Sequence, residues 1–447
     1  MRVCVIGAGS SGIAAVKVLA QGGIAFDCFE ASDRVGGNWV FRNRNGMSSA
    51  YRSLHINTSR DRMAYSDFPM PADYPDFPHH TQVAAYFDAY VDRFGLRDRI
   101  TFDTRVERAE PAAGGWRVDG AHYDALLVAN GHHWDPQWPD PPFAGADAFA
   151  GVQLHSHHYV DPELFAGKRV VVLGMGNSAM DIAVEATQTA ERVFLAARRG
   201  AWIVPKYVFG RPLDQIVTRP GIPLVLRQRF MAAVLRAAVG PMERYGLPKP
   251  DHRPLEAHPT ISDTIFSRLT HGDIVPKPNI ARLTRDTVVF TDGTSERADV
   301  VVYATGYKVS FPFFDPGVVS APGNELPLYK RVVHPDLPGL YFIALLQPLG
   351  ATMPLAEAQA EWVCDLLTGR CALPPRAELL ADIARERDAL RRRYVASKRH
   401  TMQVDFDDYL AEIRRLRRDQ RVSAGARRPA RPAGVAARPA GRRRAGA

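Results

Sequence analysis

Fully apolar runs punctuate the chain at residues 3–6, 125–128, 170–173 and 300–303. A run without polar alternation is what a parallel strand covered on both faces requires. Elsewhere the spacing becomes helical: Ala179, Ile182, Ala183 and Ala186 recur at i, i+3, i+4 and i+7, with Asp181, Glu185 and Gln188 opposite. The same pattern predicts helices over 11–21, 82–94, 225–239 and 355–367, and strands over 26–29, 100–107, 192–197 and 287–290. Charged helices fill 376–420, their Arg, Glu and Asp marking solvated faces. Residues 47–80, heavy in Pro, Tyr, Asp and Ser, read as one long loop, which inside a compact domain is usually functional. Short apolar strands alternating with helices predict an α/β fold on parallel sheets.

Two of the apolar runs end in glycine turns. Gly7, Gly9 and Gly12 follow the first, and Gly174, Gly176 and Ala179 the third, each turn leading into a helix. That arrangement sets diphosphate oxygens against unsatisfied N–H groups at a helix N-terminus. One such turn is weak evidence; two, about a domain apart, point to a protein that holds two dinucleotides and passes electrons between them. The candidate contacts are Gly7, Ala8, Gly9, Ser10, Ser11 and Gly12 in the first unit, and Gly174, Gly176, Asn177 and Ser178 in the second.

The residues some twenty positions beyond each turn distinguish the two ligands. Glu30 lies 23 positions beyond Gly7 and ends the second strand, where an acid accepts hydrogen bonds from a ribose 2′-hydroxyl, favouring FAD or NAD. The string Arg34-Val-Gly-Gly-Asn-Trp, with Gly37, Asn38 and Trp39, reads either as a close backbone approach to that ligand or as a surface turn. Arg198 lies 24 positions beyond Gly174, and Arg198 and Arg199 stand where the acid would be. A guanidinium pairs with a 2′-phosphate through charge-assisted hydrogen bonds, so the second nucleotide is expected to be NADP(H); the other reading is two solvated arginines.

The 447 residues suffice for two or three packed domains. The two segments 125–131 and 300–306 resemble each other, so the second nucleotide unit looks inserted into the first: FAD domain over 1–150 and again, with C-terminal helices, over 276–420, and NADP domain over 160–275. Residues 421–447 form an Arg/Ala/Pro tail expected to be disordered. Residues 422–447 hold seven arginines and no acid, so of the net charge of +9 only about +2 belongs to the rest, and no nucleic-acid partner is expected beyond what the tail could recruit. Cysteines at 4, 28, 364 and 371 lack CxxC spacing, which fits a reducing cytoplasm, and no apolar run reaches the roughly 18 residues of a membrane span. His155, His157 and His158 cluster, but lack a carboxylate or thiol at ligand spacing, so no metal is expected. A homodimer is compatible with the sequence without being dictated by it.

Several strings together carry a family resemblance: Phe149-x-Gly151-x3-His155-Ser156-x2-Tyr159, Ala304-Thr-Gly-Tyr307, Asn57-Thr-Ser, Tyr65-Ser-Asp-Phe-Pro, Asn130-Gly-His-His-Trp134, Gln347-Pro-Leu-Gly350 and 394–405. From residue 1 to about 420 the chain closely resembles the flavin-containing monooxygenases. The resemblance implies that NADPH reduces FAD, that O2 adds to the flavin, and that the resulting hydroperoxide gives one oxygen to a soft nucleophile, an amine or a sulfide. It implies that Asn57 sits near that oxygen and the NADP amide, and that Asn57, Thr58 and Gln347 contact FAD; an asparagine supporting a turn is the other reading of Asn57. Because the bound oxidant does the chemistry, no acid–base triad is needed. Baeyer–Villiger monooxygenases acting on ketones share both glycine turns, but usually have Trp where this chain has Tyr159. A disulfide reductase is excluded by the absence of cysteine from 29 to 363. A non-catalytic NADPH-binding sensor is the alternative from a different class.

Overall fold

The computed structural model describes residues 1–217, 222–394 and 400–422. Its two main sheets are five-stranded and parallel throughout. The first runs Leu340–Phe342, Ala125–Val128, Arg2–Ile6, Ala25–Phe29, Ile100–Thr101. The second runs Ile274–Pro278, Arg192–Ala197, Arg169–Leu173, Val300–Tyr303, Val152–His155. Counting from the strand before each glycine turn, both sheets place their third, second, first and fourth strands side by side. The order reverses beside the first strand, and there a crevice opens at the carboxyl ends.

The apolar runs become central strands because both of their faces are covered. Val3, Cys4 and Val5, and likewise Val170, Val171 and Val172, are fully buried. The helix Ser10–Gln21 packs on Met353–Leu367, returning the C-terminal part of the chain to the first unit. Lys17, buried in that contact, donates to Glu357 at 2.8 Å and to Asp67 at 2.7 Å. A buried ammonium is tolerated only with such partners.

Three expectations need correction. The strand expected over 100–107 stops at Thr101: Asp103 takes a left-handed φ of 50°, and the Thr104 N–H donates to the Glu30 carbonyl at 2.8 Å. The boundary expected at 275/276 lies later, because Ile274–Pro278 and Val300–Tyr303 pair into the second sheet; Val152–His155 joins it as well. The first sheet regains the chain only at Leu340. The charged helices Arg376–Arg393 and Phe406–Asp419 are not wholly solvated either, since Asp382, Glu386 and Glu412 converge on buried Lys330 at 2.5, 2.5 and 2.7 Å. From residue 423 on, the tail expected to be disordered lies outside the described residues, as do residues 395–399 of the 394–405 string. Among the described residues no helix is long and apolar enough to cross a membrane.

Candidate active site at the junction of two nucleotide units

The first turn is shaped by what its glycines lack. A Cβ on Gly7, whose φ is +98°, would lie 2.6 Å from the Ala129 carbonyl oxygen, and one on Gly12 would lie 1.9 Å from that of Gly7. The helix thus rests directly on the turn. Gly9 and Gly37 face each other, a Cβ on Gly37 falling 3.1 Å from the Gly9 Cα. They bound a cavity of about 310 Å³, which Gly7, Gly9, Ser10, Ser11, Glu30, Gly37, Asn38, Trp39 and Gln347 line together. Of the other first-unit residues, Ala8 points its N–H at Glu30 (2.7 Å) and Gly12 lies beneath the turn.

Glu30 is buried, its second oxygen accepting from Ser32 N–H at 2.9 Å. Burial pushes its pKa up, and these N–H bonds pull it back. Sequence reasoning did not assign Thr104, Arg105 and Val106, or Asn130, His132 and His133, which also line the cavity. The second group had a signal, an apolar strand ending at Gly131; the first had none. Burial drives His132 down to about 4, against a hydrogen bond with Gln347, so its imidazole is neutral at ordinary pH. The glycine cradle, which side chains would fill, and the acid at the end of the second strand fit a dinucleotide diphosphate and ribose.

The second turn repeats the geometry with a difference. Gly174 has φ +147°, and a Cβ there would fall 2.6 Å from the Ala304 carbonyl oxygen, but the third position is the fully buried Ala179. Gly176 caps the helix Asn177–Ala186. The Asn177 side chain accepts from Ile261 N–H at 2.9 Å, and Ser178 is half-buried. Arg198 and Arg199 are exposed at the end of the strand Arg192–Ala197, with Arg199 Nε 3.9 Å from Asp251. None of these six candidates lines the first cavity.

Neither do Asn57 and Thr58, which are half-buried in the long loop. That loop crosses to the second unit. Lys206 Nζ lies 3.5 Å from the Ile56 carbonyl oxygen, and Asp214 accepts from Ser59 N–H at 2.7 Å, so the Asn57-Thr58 pair is gripped on both flanks. The nearby histidines serve packing: fully buried His155 accepts from His157 N–H at 3.0 Å, and burial drives it down to about 4. Among the described residues no three or more His, Cys, Asp or Glu side chains gather as metal ligands.

A family model described as "Flavin-binding monooxygenase-like" matches residues 1–418. The chain is 39% identical over 438 residues to flavin-containing monooxygenase 5 of Rattus norvegicus, covering 92% of this chain and 82% of that one. The chain belongs to the flavin-binding monooxygenase-like family. Flavin-containing monooxygenase 2 of Homo sapiens is 35% identical over 443 residues, with the same coverage. Among solved structures, the S-allyl-L-cysteine S-oxygenase of Allium sativum is similar, with a TM-score of 0.70 at 25% identity over 95% of this chain and 90% of that one. A steroid monooxygenase bound to NADP shares the fold, with a TM-score of 0.69 at 19% identity over 94% and 98%. Membership makes this chain an NADPH-dependent flavin monooxygenase using FAD, O2 and a small-molecule substrate.

Proposed function

We propose that the enzyme oxygenates soft nucleophiles, the nitrogen of amines or the sulfur of thioethers. The observation that supports this reading is the family match over residues 1–418. An amine or sulfide lone pair takes up oxygen without proton abstraction, so the reaction asks no acid–base pair of the residues that line the cavity. Bound FAD, reduced by NADPH, would activate O2, one atom of which goes to the substrate while the other leaves as water.

In this reading Gly7, Gly9, Ser10, Ser11 and Gly37 admit the FAD diphosphate, and Glu30 holds its ribose. Asn38, Trp39 and Gln347 complete the wall. Gly174, Gly176, Asn177 and Ser178 receive the NADPH diphosphate, with Arg198 and Arg199 pairing with its 2′-phosphate. Asn57 and Thr58, held between the units, orient the nicotinamide amide and the transferred oxygen. The names of two similar proteins point the same way: dimethylaniline monooxygenase [N-oxide-forming] 2 of Pan troglodytes and the garlic S-oxygenase.

The test is NADPH consumption with matched product analysis across small amines, thioethers and ketones. N-oxides or sulfoxides formed in step with NADPH are expected. Esters or lactones from ketones, with no amine or thioether product, would instead make this a Baeyer–Villiger enzyme. NADPH binding with no turnover on any of them would refute the amine and thioether reading.

A further inference from the structure

The segment preceding Asn57 is tied to the second unit by hydroxyl groups. On the helix Asn177–Ala186, Asp181 and Glu185 stand one turn apart, facing the long loop instead of solvent. The Tyr51 hydroxyl donates to Asp181, the Ser53 hydroxyl to Glu185, and the Tyr159 hydroxyl to the other oxygen of Glu185 at 2.5 Å. Tyr51 and Tyr159 are buried and their rings touch, with centroids 5.7 Å apart. Among the described residues neither carboxylate forms a salt bridge, although the Lys206 charge acts on Asp181. The helix also keeps an apolar face of Ala179, Ile182, Ala183 and Ala186 buried against its own sheet. Its acidic face is therefore committed to a contact with the first unit.

A two-residue carboxylate stripe could serve merely to fasten two domains. What distinguishes this one is its place in the chain. Its helix begins at the second glycine turn, and its hydroxyl partners lie four and six residues before Asn57. Beyond that point the loop is held again, by Lys206 and Asp214. The arm carrying Asn57 is thus held from both units: Ile56 N–H donates to the Pro78 carbonyl at 3.0 Å and His80 N–H to the Leu54 carbonyl at 2.9 Å on the side of the first, while the hydroxyls of Tyr51 and Ser53 reach only the helix of the second.

We propose that Asp181 and Glu185 are positioning residues: through Tyr51 and Ser53 they set where Asn57 stands relative to the second nucleotide, and so govern how tightly NADP+ is retained and how much NADPH oxidation ends in product. This rests on the Asn57 reading above. Charge-assisted hydrogen bonds of this type are strong, and because these lie within the protein their loss reaches NADP+ only through a displaced Asn57.

The experiment uses the full-length FAD-loaded enzyme, as wild type, Tyr51→Phe, Asp181→Ala and Asp181→Asn. For each, FAD per chain, the Kd for NADP+ from the perturbation of the flavin absorbance, and hydrogen peroxide released per NADPH are measured. Unchanged FAD content is expected throughout. Tyr51→Phe and Asp181→Ala are expected to weaken NADP+ by about tenfold and to raise the peroxide share severalfold, while Asp181→Asn, which keeps an acceptor oxygen, restores most of both. Wild-type NADP+ affinity and peroxide share in Tyr51→Phe would overturn the proposal. So would a loss of FAD in parallel with the loss of coupling, or an Asp181→Asn enzyme as impaired as Asp181→Ala. Should Asn57→Asp leave product yield normal, the Asn57 assignment fails by itself, and the NADP+ affinity of Tyr51→Phe still decides whether the carboxylates hold this arm for the nucleotide.

Discussion

The two glycine turns share one topology but differ in closure. In the first, the third glycine sits where even a methyl group would strike the turn, and the crevice above it is walled by seven separate stretches of the chain. In the second, alanine fills the third position and the two arginines stand exposed. A walled cradle suits a cofactor that stays, and an open one suits a cofactor that must arrive as NADPH and leave as NADP+. In the proposed reading, the residue types at the third glycine and at the end of the second strand distinguish the resident nucleotide from the exchanging one.

That comparison can be broken at its strongest point first. Gly12→Ala places a Cβ 1.9 Å from the Gly7 carbonyl oxygen, so no yellow folded protein should be recovered; FAD-replete Gly12→Ala at wild-type yield would refute the packing argument. Glu30→Ala removes the acceptor for two backbone N–H groups and for the ribose, and should weaken FAD by on the order of 100-fold in a fluorescence titration of apoprotein, with undiminished affinity as the contrary result. At the open turn the effect is narrower. Arg198→Ala or Arg199→Ala should lower NADPH efficiency about 10- to 100-fold while sparing NADH, and an unchanged preference in both would remove them from the site. Smallest of all, Ala179→Gly should cost about 1–2 kcal/mol in denaturant midpoint, from helix propensity and one lost buried methyl, and leave FAD content intact. A loss of FAD in that variant would mean that the two turns are not independent.

The glycine turns, Glu30, the core strands and most helices were legible because each depends on local chemistry: an apolar run, a missing Cβ, a periodic face. The outer strand Ile274–Pro278 was not, since its two prolines and a lysine conceal a strand that is fixed by pairing with Arg192–Ala197. The domain boundary went with it. The cavity wall was half legible: Asn38 and Gln347 sit in recognisable strings, but Thr104 to Val106 reach the cavity only because Asp103 turns the chain left-handed. Asn57 is proposed through resemblance alone, and the grip on its flanks is long-range, linking positions about 150 residues apart, which no local pattern encodes.

The central claim is that two nucleotides meet at the loop carrying Asn57, and Asn57→Asp tests it most directly. In that variant, measure product formed per NADPH oxidised with an amine or thioether substrate, alongside FAD content. FAD should remain bound and NADPH should still be consumed, with most of the reducing equivalents appearing as hydrogen peroxide. Product formed in step with NADPH, as in the wild type, would contradict the account.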